Sequence, residues 1–368
     1  MLSFRFTVIG AGAAGLAVAR ALSLRYHGEN DVLVVEKERS FGKGISSRNS
    51  EVIHSGLYYP TGSLKHRLCI EGRRALYRYC AQKNILHRKC GKLIVADGSA
   101  EESELEALFH KSRLNEVENV RRLTKAQAVV LEPDVNAGAA LLLEETGILD
   151  SHSFMKSLES EVIRDNGTVS YDSEVVAVEY ERNAYAITLK SGDRFSSDSV
   201  INAGGLAGTG IAGLLGLRPA TMHPCKGSYF SYSGSHSVKH LVYPIPEKGL
   251  AGLGVHATID LAGRLRFGPD VEYVDAVDDF TVDERKQDAF YDAARRLFPG
   301  FKKDGLHPDQ AGIRPKLQGP GDHMVKDFYI REESDKGFPG FVNLLGIESP
   351  GLTASLAIGE HVQTIVMP

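Results

Sequence analysis

Few cysteines, no long apolar run, no basic block and no internal repeat mark this chain, and each absence removes a class of function. Cys69, Cys80, Cys90 and Cys225 show neither C-x-x-C spacing nor a metal-ligand pattern, so no metal is expected. Reduced thiols in a cytoplasm are the first reading of these four, and two disulfides the second. No stretch is apolar for long enough to span a bilayer. Lys and Arg number 43 against 47 Asp and Glu, and the resulting net charge of −4 gives nucleic acid no basic face to bind. No strongly basic amphipathic helix stands out, which leaves stable anchoring at a membrane surface unsupported. What remains is an ordinary globular composition, 42% hydrophobic and 24% charged. Its 368 residues suffice for about two domains with a substantial core.

The richest stretch runs from Phe6 through Thr-Val-Ile-Gly-Ala-Gly-Ala-Ala to Gly15, and it is completed by Val32-Leu-Val-Val-Glu36. An apolar strand enters a glycine turn, an Ala-rich helix follows, and a second apolar strand ends on a carboxylate. Gly10 permits the tight turn, Gly12 the approach of backbone to a pyrophosphate, and Gly15 the close packing of helix on strand. With Ala11, Ala13 and Ala14 these glycines offer N–H groups at a helix start, where the dipole favours an anion. Glu36 lies 36 − 15 = 21 residues past the last glycine, where an acid accepts bonds from a ribose, and Lys37 follows it. Arg5 ahead of an apolar, Ala-rich run imitates a signal peptide. Removing that segment would destroy the strand–turn–helix, so the dinucleotide reading is preferred.

Along the chain, the pattern predicts strand 4–9, helix 13–27, strand 31–36, a polar loop over 40–60 and helix 64–83, whose Leu64, Leu68, Ile70, Ala75, Leu76 and Tyr79 recur near helical spacing. The loop follows directly on a nucleotide-binding strand and is placed to lie on a ligand. Strand 91–96, helices 100–114 and 124–131, and a helix capped by Asp150 or Ser151 and running to Arg164 come next. Short strands near 174–181, 184–190 and 193–195 precede a strand from Asp198 into Ala203-Gly204-Gly205, a second place where backbone can meet a ligand. Residues 218–270 read as alternating strands (228–232, 252–259, 264–267), followed by helix 283–297. Strand 341–345 then feeds a glycine turn and a final helix. The implied architecture is a discontinuous dinucleotide domain (1–84, 146–217 and 312–368) interrupted by a β-rich substrate domain (85–145 and 218–311).

Gly208-Thr-Gly210-Ile-Ala-Gly213 repeats the G-x-G-x-x-G spacing, but no acid follows at about 20 residues, the next being Glu247. It reads as a small-residue helix packing closely rather than a nicotinamide site. A single dinucleotide site favours tightly held FAD reduced directly by substrate.

Five stretches together carry a resemblance: the opening fingerprint, Asn49-Ser-Glu-Val-Ile-His-Ser-Gly-Leu-Tyr-Tyr59, Gly254-Val-His256, Gly312-Ile-Arg-Pro-Lys-Leu317, and Ser349-Pro-Gly-Leu-Thr-Ala-Ser355. From Thr7 to Ile365 the chain resembles the D-amino-acid-oxidase-like FAD oxidoreductases, and within them it is most similar to L-2-hydroxyglutarate dehydrogenases and oxidases. The resemblance implies an α/β fold: a Rossmann-like FAD-binding domain of the glutathione-reductase and D-amino-acid-oxidase type, with an inserted α+β substrate domain on a mostly antiparallel sheet. Two places depart from the family pattern. Ile347-Glu348 stands where an Asn- and Ala-rich sequence is expected, and Lys226-Gly-Ser where an Arg-Gly-Glu-like stretch is common.

The implied reaction passes the Cα hydride of an L-2-hydroxy acid, L-2-hydroxyglutarate foremost, to flavin N5 while a base takes the hydroxyl proton. FAD does the redox chemistry; the protein must orient substrate and manage charge. The resemblance assigns Arg314 to the substrate carboxylate, as a planar guanidinium can bind it through two bonds. Lys316, two residues along the same strand face, suits the distal carboxylate of a diacid. His256 is the first choice of base, since imidazole titrates at ~6.5. His54 is a proton-transfer group, a hydrogen-bonding partner of the flavin or an attachment point for it. Tyr58, Tyr59 and Tyr229 are pocket donors or simply core. Ser46, Ser47, Arg48, Asn49, Ser50 and Val175 are read as FAD contacts, and Gly351, Leu352 and Thr353 as N–H donors to flavin O2 at a helix start.

Two other classes compete: an amino-acid or amine oxidase or glycerol-3-phosphate-type dehydrogenase, and a non-catalytic FAD-binding or tRNA-modifying protein. The paired cations Arg314 and Lys316 argue for an acidic substrate, and the two histidines for catalysis. Oxygen or a membrane quinone accepts the electrons, in the cytoplasm or peripherally at the inner membrane face.

Overall fold

The computed structural model describes residues 2–246, 254–322 and 324–366. The core of one sheet is parallel and ordered 168–170, 32–35, 3–9, 194–202, 338–345, the 3-2-1-4-5 arrangement of doubly wound folds. Every pairing in that series is parallel, and the central strand Val32–Val35 reads as a continuous apolar run because both its faces are covered. Val32 and Val34 face one apolar cluster with helices Ala13–Ser23, Leu64–Gln82, Ser151–Arg164 and Gly351–Ile365, whereas Leu33 and Val35 face another with the hairpin Val175–Glu181/Ala184–Leu189.

The second sheet has nine strands. Its order is 272–273, 223–232, 265–268, 256–259, 241–244, 92–96, 139–143, 120–124, with Leu306–Lys316 pairing with His223–Tyr232. Among the described residues only the pairing of Leu241–Pro244 with Lys92–Ala96 is parallel, which matches the expected mostly antiparallel platform. A small third sheet joins Val52–Ile53, Gly147–Leu149 and His87–Arg88.

Most expected elements are present, with shifted bounds. The first helix stops at Ser23 rather than 27, and the Arg25 N–H tightens onto the Leu22 carbonyl in an i→i−3 bond as the helix unwinds. Residues 193–195 and the strand from 198 are one strand, Arg194–Asn202. Thr124 begins no helix; it ends strand Val120–Thr124 and caps Lys125–Leu131 with a reciprocal Gln127 bond. The expected strand 252–259 is His256–Ile259, its residues 252 and 253 lying outside the described residues, as does Glu247. The boundary drawn at 311/312 falls inside the single strand Leu306–Lys316.

The second glycine pattern packs closely at one of its three glycines. Helix Gly208–Gly213 brings Gly208 so near the sheet that a Cβ would stand 2.7 Å from Leu345, while Gly210 and Gly213 face open space.

Candidate active site

The first glycine turn has the shape a dinucleotide requires. Gly10 sits at φ +108°, and a Cβ there would stand 2.6 Å from the Ala203 carbonyl oxygen. At Gly15 a Cβ would stand 1.9 Å from the Gly10 oxygen, so the helix lies against the turn at a distance only glycine permits. The Ala203 N–H donates to the Ile9 carbonyl, which sets Ala203, Gly204 and Gly205 beside Gly10. Oxygen acceptors already stand at the helix start. Glu36 Oε2 accepts the Ala11 N–H at 2.7 Å, and Ser46 Oγ accepts the Ala13 N–H at 3.0 Å. Among the described residues, the Ala14 and Gly15 N–H groups have no hydrogen-bond partner. The Ser173 N–H donates to the Glu36 carbonyl, leading the chain toward Val175 past the ribose end; Lys37 points into solvent beside Glu38.

The loop after the second strand is held rather than loose. Asn49 Nδ2 donates to the Ile45 and Ser46 carbonyls, Ser47 Oγ to the Gly44 carbonyl, and Gln310 Nε2 to the Asn49 carbonyl. The Arg48 guanidinium lies 3.9 Å from the Phe280 ring centroid, and its Nε is buried without a partner. A Cβ on Gly312 would meet the Arg48 carbonyl oxygen at 2.1 Å, so this loop is locked onto the strand that carries Arg314. At the far end, Thr353 Oγ1 accepts the His54 N–H at 3.0 Å and donates to the Val52 carbonyl at 3.2 Å. The Leu352 and Thr353 N–H groups at the start of Gly351–Ile365 have no partner among the described residues. A glycine cradle, free N–H groups at two helix starts and a ribose-placed carboxylate fit FAD.

Against this frame the nine-stranded sheet lays out a row of side chains. In register, Tyr243 lies beside His256, and Lys92 beside Leu241 on the adjoining strand. Gly268 sits opposite His256, and a Cβ there would strike the Ser228 oxygen at 2.6 Å and Tyr229 Cδ1 at 2.9 Å. Glycine therefore lets Tyr229 come up to the histidine. The His256 ring stacks on Tyr243, and its Nδ1 is 2.9 Å from the Gly254 carbonyl. A carbonyl only accepts, so the proton is on Nδ1 and the lone pair on Nε2.

His54 meets this row from the other side. Its Nε2 is 3.2 Å from Ser349 Oγ, which is 3.2 Å from the Tyr59 hydroxyl. Burial, then the Lys92 charge, then His256 lowers the His54 pKa to about 3. His256 also falls to about 3, through burial first and then the positive charges of Lys92 and Arg314, opposed by its carbonyl bond. Both imidazoles are neutral at physiological pH. Burial raises the phenols of Tyr58, Tyr229 and Tyr243, and the Tyr229 hydroxyl also engages Ser50.

One sequence expectation, Lys316, meets a competing partner, and another, Arg314, is narrowed. Lys316 is not free for a substrate carboxylate: its Nζ is 2.9 Å from Glu348 Oε2, while Lys65 Nζ lies 2.9 Å from Oε1 of the same carboxylate. Both lysines are buried and the Glu348 side chain is only 9% exposed, so the charge of Lys316 is spent inside the protein. Glu348, where the chain departs from the family pattern, is what claims it. Arg314 does not present an open two-bond fork either. Its Nε donates to the Cys225 carbonyl, and its Nη2 to the Lys226 and Asp270 carbonyls. Those acceptors carry no net charge, and among the described residues Nη1 has no partner and no carboxylate pairs with the side chain.

Two residues were not found from sequence. Lys92 is buried at the start of Lys92–Ala96, its Nζ 4.7 Å from the Tyr58 ring centroid and 4.5 Å from that of Tyr243. Its position opening an apolar strand was the available signal. Asn115 is fully buried and donates to the carbonyls of Gly56, Leu57 and Tyr59, which fixes the turn bearing both tyrosines. Nothing local to its helix end marked it.

Residues 5–364 match the family model described as FAD dependent oxidoreductase, so the chain belongs to that family and is an FAD-using oxidoreductase. It is 42% identical to a mitochondrial L-2-hydroxyglutarate dehydrogenase of Arabidopsis thaliana, over 96% of this chain and 82% of that one. It is 34% identical to the mitochondrial L-2-hydroxyglutarate dehydrogenase of Homo sapiens, over 98% and 88%. Among solved structures it resembles FAD-bound L-alpha-glycerophosphate oxidase from Mycoplasma pneumoniae, with a TM-score of 0.88 at 23% identity, covering 100% of this chain and 95% of that one. Glycine oxidase from Geobacillus kaustophilus superposes with a TM-score of 0.82 at 19% identity, over 100% and 95%, which supports the same fold. No helix among the described residues is long and apolar enough to cross a membrane.

Proposed function

We propose that this chain oxidises L-2-hydroxyglutarate to 2-oxoglutarate, with segments 1–84, 146–217 and the chain after Lys316 forming the FAD half and 85–145 with 218–316 the substrate half. Bound FAD supplies the two-electron acceptor. The observation that carries the reading is His256: it is neutral, its Nε2 lone pair is fixed by the Gly254 bond, and it feels the positive charge of Arg314. Nε2 takes the proton of the substrate hydroxyl, and Arg314 holds the adjacent C1 carboxylate through its remaining Nη1 edge. Tyr229 closes the pocket wall beside His256. The Leu352 and Thr353 N–H groups would hold the flavin end of FAD at a helix start, where the dipole favours negative charge. Similarity to proteins named for this substrate supports the choice of acid.

Anaerobic addition of L-2-hydroxyglutarate to the yellow holoprotein should bleach the flavin band, whereas D-2-hydroxyglutarate should not. Bleaching by an amino acid, or by glycerol 3-phosphate, and by no 2-hydroxy acid would overturn the proposal. Oxygen or a quinone completes the turnover, and peroxide formed at the rate of substrate loss under air identifies oxygen. The site of action proposed is the cytoplasm, with quinone reduction requiring contact at the inner membrane face.

A further inference from the structure

We propose that Lys92, held between the rings of Tyr58 and Tyr243, binds the second carboxylate of a dicarboxylic substrate and sets the preference for a diacid over a monoacid. The inference rests on the hydroxyglutarate reading and goes beyond it to the residue that selects for length and charge. Three observations converge on an anion. Lys92 is 1% exposed, and no carboxylate pairs with it among the described residues. A lone buried ammonium is costly unless something negative joins it. The hydroxyls of Tyr58 and Tyr243 are each buried with no hydrogen-bond partner, and their rings carry the Lys92 Nζ at 4.7 and 4.5 Å. An ammonium without a counter-charge and two hydroxyls without partners therefore belong to one cluster of three packed side chains.

The position suits the far end of the substrate. In the sheet the strand of His256 lies between the strand of Arg314 and that of Lys92, and the charges of both reach it. With C1 toward Arg314 and the hydroxyl at His256, the chain of a five-carbon diacid extends toward Lys92. Lys316, the residue expected there from sequence, is closed off by Glu348. Burial also pushes the Lys92 ammonium down to about 7, and an approaching carboxylate would restore its charge.

The test uses the holoenzyme and two unreactive probes, glutarate and pentanoate, titrated against the flavin spectrum, together with turnover of L-2-hydroxyglutarate and L-2-hydroxybutyrate. In Lys92→Met the glutarate affinity should fall by at least about thirtyfold while pentanoate affinity moves less than threefold, and the diacid preference in kcat/KM should fall to match. An unchanged glutarate-to-pentanoate ratio would overturn the proposal while leaving hydroxyglutarate oxidation standing. An equal drop in kcat for both hydroxy acids, with probe binding intact, would also overturn it and make Lys92 a proton-transfer group. If Lys92→Met loses FAD or melts early, Tyr243→Phe decides, as it keeps the ring and removes one donor. Glutarate binding weakened several-fold supports the site, and unchanged binding sinks it. A wild-type enzyme that bleaches with no 2-hydroxy acid refutes the functional reading instead.

Discussion

The His256 ring lies on the Tyr243 ring, centroids 3.7 Å apart and planes 17° from parallel, while its Nδ1 is held by the Gly254 carbonyl. Stacking fixes the plane, the carbonyl fixes the tautomer, and Nε2 alone is left to act. His256→Ala is expected to slow flavin reduction by about 10²- to 10⁴-fold in stopped-flow, with a much smaller change in substrate affinity. A rise in dissociation constant at unchanged reduction rate would make it a binding residue.

The lowered histidine values carry a pH signature for stability. His54 and His256 resist protonation in the folded chain to about pH 3, whereas unfolded imidazole titrates near 6.5. Between those values the unfolded state binds more protons, so stability should fall as pH falls from about 6.5 toward 3. Melting temperature followed down this window should drop less in a His54→Asn, His256→Asn double variant. Equal slopes would mean the histidines do not report on acid unfolding.

Lys92 predicts the opposite limb. Its ammonium is lost as pH rises through about 7, under the combined surroundings of His54, His256, Cys69, Tyr58 and Tyr243. Log kcat/KM for L-2-hydroxyglutarate should therefore decline above about pH 7, and that for L-2-hydroxybutyrate should decline less. Parallel profiles for the two acids would show that the ammonium does not discriminate between them.

Glu348 holds two buried lysines at once. Glu348→Gln should destabilise the protein by about 3–5 kcal/mol, since it strands both charges away from water. Replacing Lys65, Glu348 and Lys316 together with Met, Gln and Met should recover much of that loss in denaturant unfolding. If the single variant melts like wild type, the triad has no part in stability.

Two glycine patterns of equal spacing should behave differently. Gly15→Ala places a methyl 1.9 Å from the Gly10 oxygen and should give protein with little FAD. Gly210→Ala points into open space and should purify fully yellow, as judged by the ratio of flavin to protein absorbance.

The parallel core was legible because Val32-Leu-Val-Val-Glu36 and the glycine turn are local signals: apolar runs buried on both faces, and backbone that only glycine allows. The site was legible in part. His256, His54 and Arg314 sit in recognisable stretches, and the structure gathers them. Lys316 misled because strand alternation gives the face of a side chain but says nothing of Glu348, which arrives from 348 − 316 = 32 residues later in the chain. Lys92 escaped notice for the converse reason. A lysine opening an apolar strand looks solvated until Tyr58 and Tyr243, from two distant segments, close over it. Helix ends moved by a few residues where polar sequence carries no periodic pattern.

The contact between Gly312 and the Arg48 carbonyl has a consequence for how the protein can be cut or recombined. The loop touching the nucleotide turn and the strand bearing Arg314 share one surface too tight for any side chain. A chimera that takes its nucleotide half from one relative and its hydroxy-acid half from another inherits two surfaces shaped for different partners. Grafts that carry residues 45–49 and 306–316 as one matched pair should stay active where grafts split between them fail.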